Sequence, residues 1–233
     1  MNNAARARQR VLAIFLPIAA VLYISAEALS PKGTDQLATD TATALKLLAI
    51  AAKHPAQLYI AGTCAVLGLG ALAVSYAAIA TLSRDRGAAL ATVAALIGGI
   101  GAFCGAIVNV LVFPNLAAAA TAHATPGAAA QFLVTTFNSG FGHGFEYAYF
   151  IGIYVAPLLM AVALWRSRAV PRWLAVLFFA GLEVAQEQIS SGPVVVLYML
   201  PFAAAMVLLA ARIWQPAALP ASQPHLEPVG VPV

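Results

Sequence analysis

Residues 88–113 are AALATVAALIGGIGAFCGAIVNVLVF, a run of 26 residues without a charged side chain. A helix needs about 20 mostly apolar residues to cross a bilayer, so this run predicts a transmembrane helix. The polar segment 83–87 precedes the run, and Pro114 follows it. Proline removes a backbone donor and clashes with the preceding turn, so we expect the helix to end before Pro114.

The rest of the chain has the same character. Of its 233 residues, 62% are hydrophobic and 9% are charged, and the mean hydropathy is +0.89. A soluble domain carries roughly 25% charged residues, so this chain cannot cover a water-facing surface and lipid must solvate it. Nucleic-acid binding is excluded because no polar surface could carry a basic stripe. Cys64 and Cys104 lie in apolar runs and have neither disulfide nor metal-site spacing.

These apolar runs predict an all-α, polytopic membrane protein with a bundle of six transmembrane helices. Residues 1–10 form a basic arm, residues 11–214 form the membrane domain, and residues 215–233, with five prolines, form a disordered tail. The predicted spans are 11–29, 56–82, 88–113, 140–165, 172–190 and 194–214.

Two shorter helices are predicted between the spans. Asp40 is placed to cap a helix that runs to His54, with Leu45, Leu48 and Ala52 on one face. This helix is too short and too polar to cross, so we expect it to lie at the membrane interface or to cover the bundle. The segment Ala128–Asn138 predicts a second interfacial or re-entrant helix.

The distribution of basic residues predicts the orientation. Positive charge collects in cytoplasmic loops. If the N-terminus is cytoplasmic, all nine arginines fall inside and all three lysines, at positions 32, 46 and 53, fall outside. Both termini of a six-span protein are then cytoplasmic, and the protein belongs to a bacterial plasma (inner) membrane.

Four glutamates lie within or near the spans: Glu27, Glu146, Glu183 and Glu187. An acidic side chain in a span costs at least roughly 2.5–3.5 kcal/mol on insertion scales, so a functional role is the default interpretation. Counting about 1.5 Å per residue puts all four in the outer half of the bilayer. We therefore expect them to face one cavity and treat them as candidate catalytic residues.

Polar and aromatic side chains accompany these acids and are candidate substrate contacts. In the fourth span, His143, Tyr147, Phe150 and Tyr154 follow helical spacing with Glu146 and predict one stripe. The full set of candidate binding residues is Tyr23, Asn109, Phe141, His143, Tyr147, Phe150, Tyr154 and Gln186.

An acid among aromatic rings suits carbocation chemistry. A carboxylic acid in apolar surroundings stays protonated near neutral pH, and aromatic faces stabilise cations. Such a site could protonate a prenyl double bond and guide cyclisation without a metal or any other cofactor. The chain has no Asp-rich motif for binding a diphosphate.

The architecture of residues 11–214 and the segment Gly142-His143-Gly144-Phe145-Glu146-Tyr147 resemble the small integral-membrane terpene cyclases. These include bacterial enzymes that act on farnesylated diketopiperazines of the drimentine type and, more distantly, fungal meroterpenoid cyclases. The resemblance implies a lipophilic prenylated substrate and a proton donor at Glu146 or Glu183. The chain lacks the Asp-rich donor motif of the soluble protonation-type cyclases.

Other functions stay open. A proton-coupled carrier or lipid-binding protein would also use intramembrane acids, although no internal repeat is present. The acids could form a purely structural polar network. A metal site from His143, Glu146, Glu183 and Glu187 would have one histidine, which is few for zinc. The sequence leaves the substrate and the oligomeric state open.

Overall fold

The computed structural model describes residues 3–34, 37–83, 86–122, 125–186 and 194–215. Within these residues the chain forms helices and connecting turns and no strand. The helices are α1 Asn3–Ala13, α2 Phe15–Leu29, α3 Thr41–Lys53, α4 Pro55–Ala80, α5 Ala88–Thr121, α6 Pro126–Phe137, α7 Gly140–Ser167, α8 Arg172–Gln186 and α9 Val195–Trp214.

Five stretches of the described chain are long and apolar enough to cross a membrane. They are Ala4–Leu29, which joins α1 to α2, and the helices α4, α5, α7 and α9. The expectation of an all-helical protein with apolar spans is thus confirmed. The fifth predicted span, 172–190, corresponds to α8, of which 15 residues are described. The proline-rich tail lies outside the described residues from position 216 onward.

Six helices form a closed ring. In order around it, α2 contacts α4, α4 contacts α5, α5 contacts α7, α7 contacts α8, α8 contacts α9, and α9 returns to α2. In this order α2 stands opposite α7, and α4 stands opposite α8. The main apolar core joins buried residues of all six helices, so long side chains from opposite helices can meet in its interior.

A second core covers one end of the ring. It joins α3 and α6 to the start of α4 and to the last part of α5, through Leu47, Leu58, Leu116 and Leu133. The extra length of α5 makes this cap possible. Its 34 residues extend about 51 Å at 1.5 Å per residue, well beyond the roughly 30 Å of a hydrocarbon core.

The expected end of the third span at Pro114 is wrong, because α5 continues through Pro114 to Thr121. Gly62 on α4 makes room for this stretch. A Cβ atom at Gly62 would lie 2.8 Å from Cβ of Phe113 and 3.1 Å from Cδ of Pro114. Close packing on α4, α3 and α6 thus supports the helix beyond its proline, as tertiary contacts support most helices in proteins.

The capping of α3 agrees with the prediction. The Asp40 carboxylate accepts a hydrogen bond from the Thr43 backbone N–H (2.8 Å) and another from the Thr43 hydroxyl (2.7 Å). These bonds satisfy a donor that the first turn of a helix leaves unpaired. The hydrogen bond from the Thr43 backbone N–H is the largest cause that lowers the pKa of Asp40 below its ordinary value of 3.8.

Leu45, Leu48 and Ala52 share one face of α3, as predicted, and line one pocket, but the buried face is rotated from it by about one residue. Leu48 is buried, but Leu45 is 41% exposed and Ala52 is also exposed. The buried face instead carries Leu47 and Ala51 beside Leu48. Apolar residues surround most of this helix, so its contacts with α5 and α6 decide which side is buried.

Candidate functional site

A pair of tyrosines crosses the interior of the ring. Tyr23 on α2 is 4% exposed, and its hydroxyl is hydrogen-bonded to that of Tyr149 on the opposite helix, α7. Glu27, one turn after Tyr23, and Tyr154 both lie close enough to interact electrostatically with Tyr149. A polar network therefore joins two helices that are not neighbours in the ring.

A second contact crosses the ring between α4 and α8. The rings of Tyr76 and Phe178 meet edge to face, with centroids 6.4 Å apart and planes at 83°. Both side chains are almost fully buried. Glu183 lies close enough to Tyr76 to interact with it electrostatically, and Oε1 of Glu183 is buried. A carboxyl group thus faces an aromatic interior.

Contacts between the helices show which residues lie at the same level along the axis of the ring. A Cβ atom at Gly68 would lie 3.0 Å from the backbone nitrogen of Tyr23. The Tyr23 ring meets Phe202 of α9 edge to face at 6.3 Å. Gly181 of α8 packs on Phe202, with 2.7 Å between its Cβ position and the Phe202 nitrogen. Tyr23, Tyr149, Gly181 and Phe202 therefore share one level.

Three of the predicted acids lie just beyond this level, toward the end of the ring that α3 and α6 cover. Glu27 follows Tyr23 by four residues, and Glu183 follows Gly181 by two. Glu146 precedes Tyr149 by three residues on the oppositely directed α7. At about 1.5 Å per residue, these acids lie roughly 3–6 Å along their own helices from Tyr23, Gly181 and Tyr149. Glu187 lies outside the described residues.

The aromatic side chains of the predicted stripe on α7 are largely exposed. Tyr147 is 63% exposed, and Phe150 and Tyr154 are 40% and 39% exposed. Phe141, a candidate outside the stripe, is 64% exposed. His143 is partly buried, and its Nδ1 lies 3.2 Å from the Ser139 carbonyl oxygen of its own helix. The stripe therefore lies largely on the outside of the ring.

The face of α7 that points into the ring carries small residues. Gly152 packs directly against Gly101 of α5, and Gly142 and Ala156 are also buried. Tyr149 lies midway between Gly142 and Ala156, seven residues from each, so it shares their face. The spacing of Gly142, Tyr149 and Ala156 in the sequence therefore indicates that Tyr149 faces inward. The polar stripe on α7 instead favours a different face.

The remaining candidates are Asn109 and Gln186. The side-chain amide of Asn109 donates to the Gly105 carbonyl oxygen, 2.9 Å away in its own helix. Gln186 is the last described residue of α8. In the described part of the chain, no three His, Cys, Asp or Glu side chains lie close enough together to hold a metal ion.

Comparison with known protein families, curated proteins and solved structures finds no match to this chain. The functional conclusion therefore depends on the interior of the ring, where a tyrosine pair, an aromatic pair and carboxyl groups come from four different helices.

Proposed function

We propose that α8 is a sixth membrane crossing. The C-terminal part of α9 lies beside the start of α8, because the Arg212 Nε atom donates to the Ala169 carbonyl oxygen at 3.4 Å. Further along α8, Gly181 packs on Phe202, which is ten residues earlier in α9. The two helices are thus antiparallel, and α8 carries the chain back to the end at which α9 begins.

The ends of the chain support an even number of crossings. The Arg10 guanidinium lies over the Trp214 ring, 5.8 Å from its centroid, so the last turn of α1 and the end of α9 are neighbours. The described arginines are at positions 6, 8, 10, 86, 166, 168, 172 and 212, in segments that meet at this end. By the tendency of positive charge to stay inside, this end is cytoplasmic, and α3 and α6 lie at the outer interface.

We further propose that the protein is a membrane-embedded, protonation-initiated cyclase of a lipophilic prenylated substrate. The observation that supports this most is the Glu183 carboxyl, whose Oε1 is buried and which lies close enough to interact with Tyr76, itself in contact with the Phe178 ring. The neighbouring aromatic faces are suited to stabilise a positive charge that develops on carbon.

The reaction balances without any added reagent. The acid O–H bond breaks as its proton adds to one carbon of a prenyl double bond, leaving a tertiary carbocation on the other. A second double bond of the chain attacks this cation and closes a ring. A base then removes a proton from a neighbouring carbon, so the product is an isomer of the substrate. Glu27, on α2 beside the tyrosine pair, is our candidate for the base that removes this proton, which then passes back to Glu183 to restore the enzyme.

The test uses the full-length protein purified in detergent with a chelator present. A farnesylated indole diketopiperazine is the probe, and its products are separated by mass spectrometry and identified by NMR. We expect a cyclised isomer of unchanged mass. If neither this probe nor related prenylated substrates gives such an isomer, the cyclase proposal is wrong.

Variants that replace a glutamate by glutamine test which acid donates the proton and which group removes the final one. Glu183→Gln should lower the rate about 10²–10⁴-fold, the usual contribution of a general acid, while substrate still binds. Glu27→Gln should slow the final deprotonation and change the product ratio, and Glu146→Gln reports on the third acid. Asp40→Asn, which alters an exposed carboxyl outside the ring, is the matched control. Full activity in Glu183→Gln would remove it as the proton donor.

A proton-coupled carrier is the second candidate function. An open cavity of about 540 Å³ at the outer end is lined by Lys32, Lys53, His54, Gln57 and Ala28. Ala28 directly follows Glu27, so water in this cavity lies near Glu27. Proteoliposomes carrying an internal pH-sensitive dye would then show a proton flux that Glu27→Gln reduces. A flux equal to that of empty liposomes would contradict the carrier.

A further inference from the structure

An apolar groove lies between α7 and α8 on the outside of the ring. It has a volume of about 310 Å³, and its walls include Leu158 and Val162 of α7 and Val176 and Phe179 of α8. Trp165 lines its end nearest the α7–α8 turn. Val176 is 52% exposed and Leu158 is 48% exposed, so the groove is open to the hydrocarbon that surrounds the ring.

The groove ends at a cluster of arginines. The Arg172 guanidinium lies over the Trp165 ring, 5.2 Å from its centroid. Arg166 and Arg168 belong to the same turn, and all three side chains are exposed. The four carboxyl residues in the described part of the chain are Glu27, Asp40, Glu146 and Glu183, and none belongs to this end of the ring.

The dimensions fit one lipid chain. From Leu158 to Trp165 the groove follows seven residues of α7, about 10 Å at 1.5 Å per residue. The groove therefore covers about a third of a hydrocarbon core that is roughly 30 Å thick. This length matches the part of an acyl chain that is nearest its head group. Basic sites between transmembrane helices are suited to bind anionic lipid head groups.

We infer that this groove binds one anionic phospholipid, with an acyl chain along Val162 and Val176 and its phosphate beside Arg172 and Arg168. Charge selects the occupant, because a zwitterionic lipid fills the same apolar groove but brings no net negative charge to the arginines. This inference requires only that the arginine end lies at a bilayer surface, and it is independent of the cyclase proposal.

Native mass spectrometry of the full-length protein in detergent tests this site. Phosphatidylglycerol and phosphatidylcholine with identical acyl chains are titrated separately, and inorganic phosphate is added in a third series. We expect one tightly bound phosphatidylglycerol, weaker phosphatidylcholine and no competition by phosphate. Since one basic residue at a membrane surface contributes about 1 kcal/mol, or about a fivefold change in affinity, Arg172→Gln should weaken phosphatidylglycerol about fivefold. Binding of phosphatidylcholine should not change.

Two further variants complete the design. Arg86→Gln removes an exposed charge from the α4–α5 connection at the same end and should leave both affinities unchanged. Val176→Trp fills the groove at an exposed position, so it should fold normally and weaken both lipids. Equal affinities of the wild type for the two lipids, or identical behaviour of Arg172→Gln and Arg86→Gln, would refute the site. Competition by inorganic phosphate would show an ion site instead of a lipid site.

Discussion

Single side chains hold the two sides of the ring together. The hydrogen bond between Tyr23 and Tyr149 joins α2 to α7 across the interior, and these helices are separated by two others on either path around the ring. The net contribution of one such hydrogen bond to the free energy of unfolding is small. Its main effect is to favour one arrangement of α2 and α7 over others.

Tyr23→Phe and Tyr149→Phe should each destabilise the protein by about 1 kcal/mol, the usual net value of one hydrogen bond. The double variant should cost less than the sum of the two, because either change alone breaks the same bond. Unfolding midpoints in detergent measure these effects. Tyr198→Phe, at a position 43% exposed, is the control. Fully additive losses would show that the two hydroxyl groups act independently.

The cap of α3 should be sensitive to acid. The pKa of Asp40 is held below 3.8, first by the Thr43 backbone N–H, so the ionised carboxylate stabilises the folded helix. This stabilisation is fully present above the ordinary pKa and is lost as the pH falls through the lowered value. Hydrogen exchange in α3, corrected for the intrinsic rate, should therefore rise in this acidic range.

Asp40→Asn is the matched variant for this acid response. Asparagine is also a good helix cap but does not titrate, so the additional exchange at low pH should disappear in this variant. An unchanged acid response would assign the effect to another group.

At the scale of helices, contacts between small residues set the rotation of each helix about its axis. Gly101 of α5 and Gly152 of α7 touch through their backbones, and a Cβ atom on either would come closer to the other than real Cβ atoms do. The same face of α7 carries Tyr149 into the ring. Packing of two glycines thus helps to position a residue of the candidate site.

Gly101→Ala should force α5 and α7 apart and destabilise the protein by about 1–3 kcal/mol, as over-packing does. Gly99→Ala is the control on the same helix, since nothing lies within 4 Å of its Cβ position. That variant should be neutral or more stable by up to about 1 kcal/mol, because alanine suits a helix interior better. Thermal midpoints in detergent compare the two, and equal midpoints would show that the glycine contact is not required.

At the scale of the molecule, the proposal of six crossings with both termini in the cytoplasm predicts a labelling pattern. In cells expressing a background without Cys64 and Cys104, a membrane-impermeant maleimide should label Lys32→Cys. Arg6→Cys and Gln215→Cys should be labelled only after permeabilisation. Labelling of Gln215→Cys in intact cells, with Arg6→Cys protected, would require an odd number of crossings.

Much of the architecture follows from local composition. Apolar runs locate the spans, and Asp40 marks the start of α3 because capping depends on neighbouring residues. Pro114 shows the limit of local rules. The helix continues past it because α3, α4 and α6 pack around that segment, and no neighbouring residue in the sequence indicates such contacts.

The interior of the ring follows from tertiary structure alone. Helices such as α7 are apolar on most sides, so periodicity does not indicate which side is buried, and the visible stripe of Tyr147 and Phe150 lies largely outside. Tyr149 and Tyr76 lie inside because glycine contacts rotate their helices and because α9 closes the ring against α2. Hydrophobicity and charge are properties of residues that are neighbours in the sequence. A site shared by four helices instead depends on how segments far apart in the sequence pack against each other.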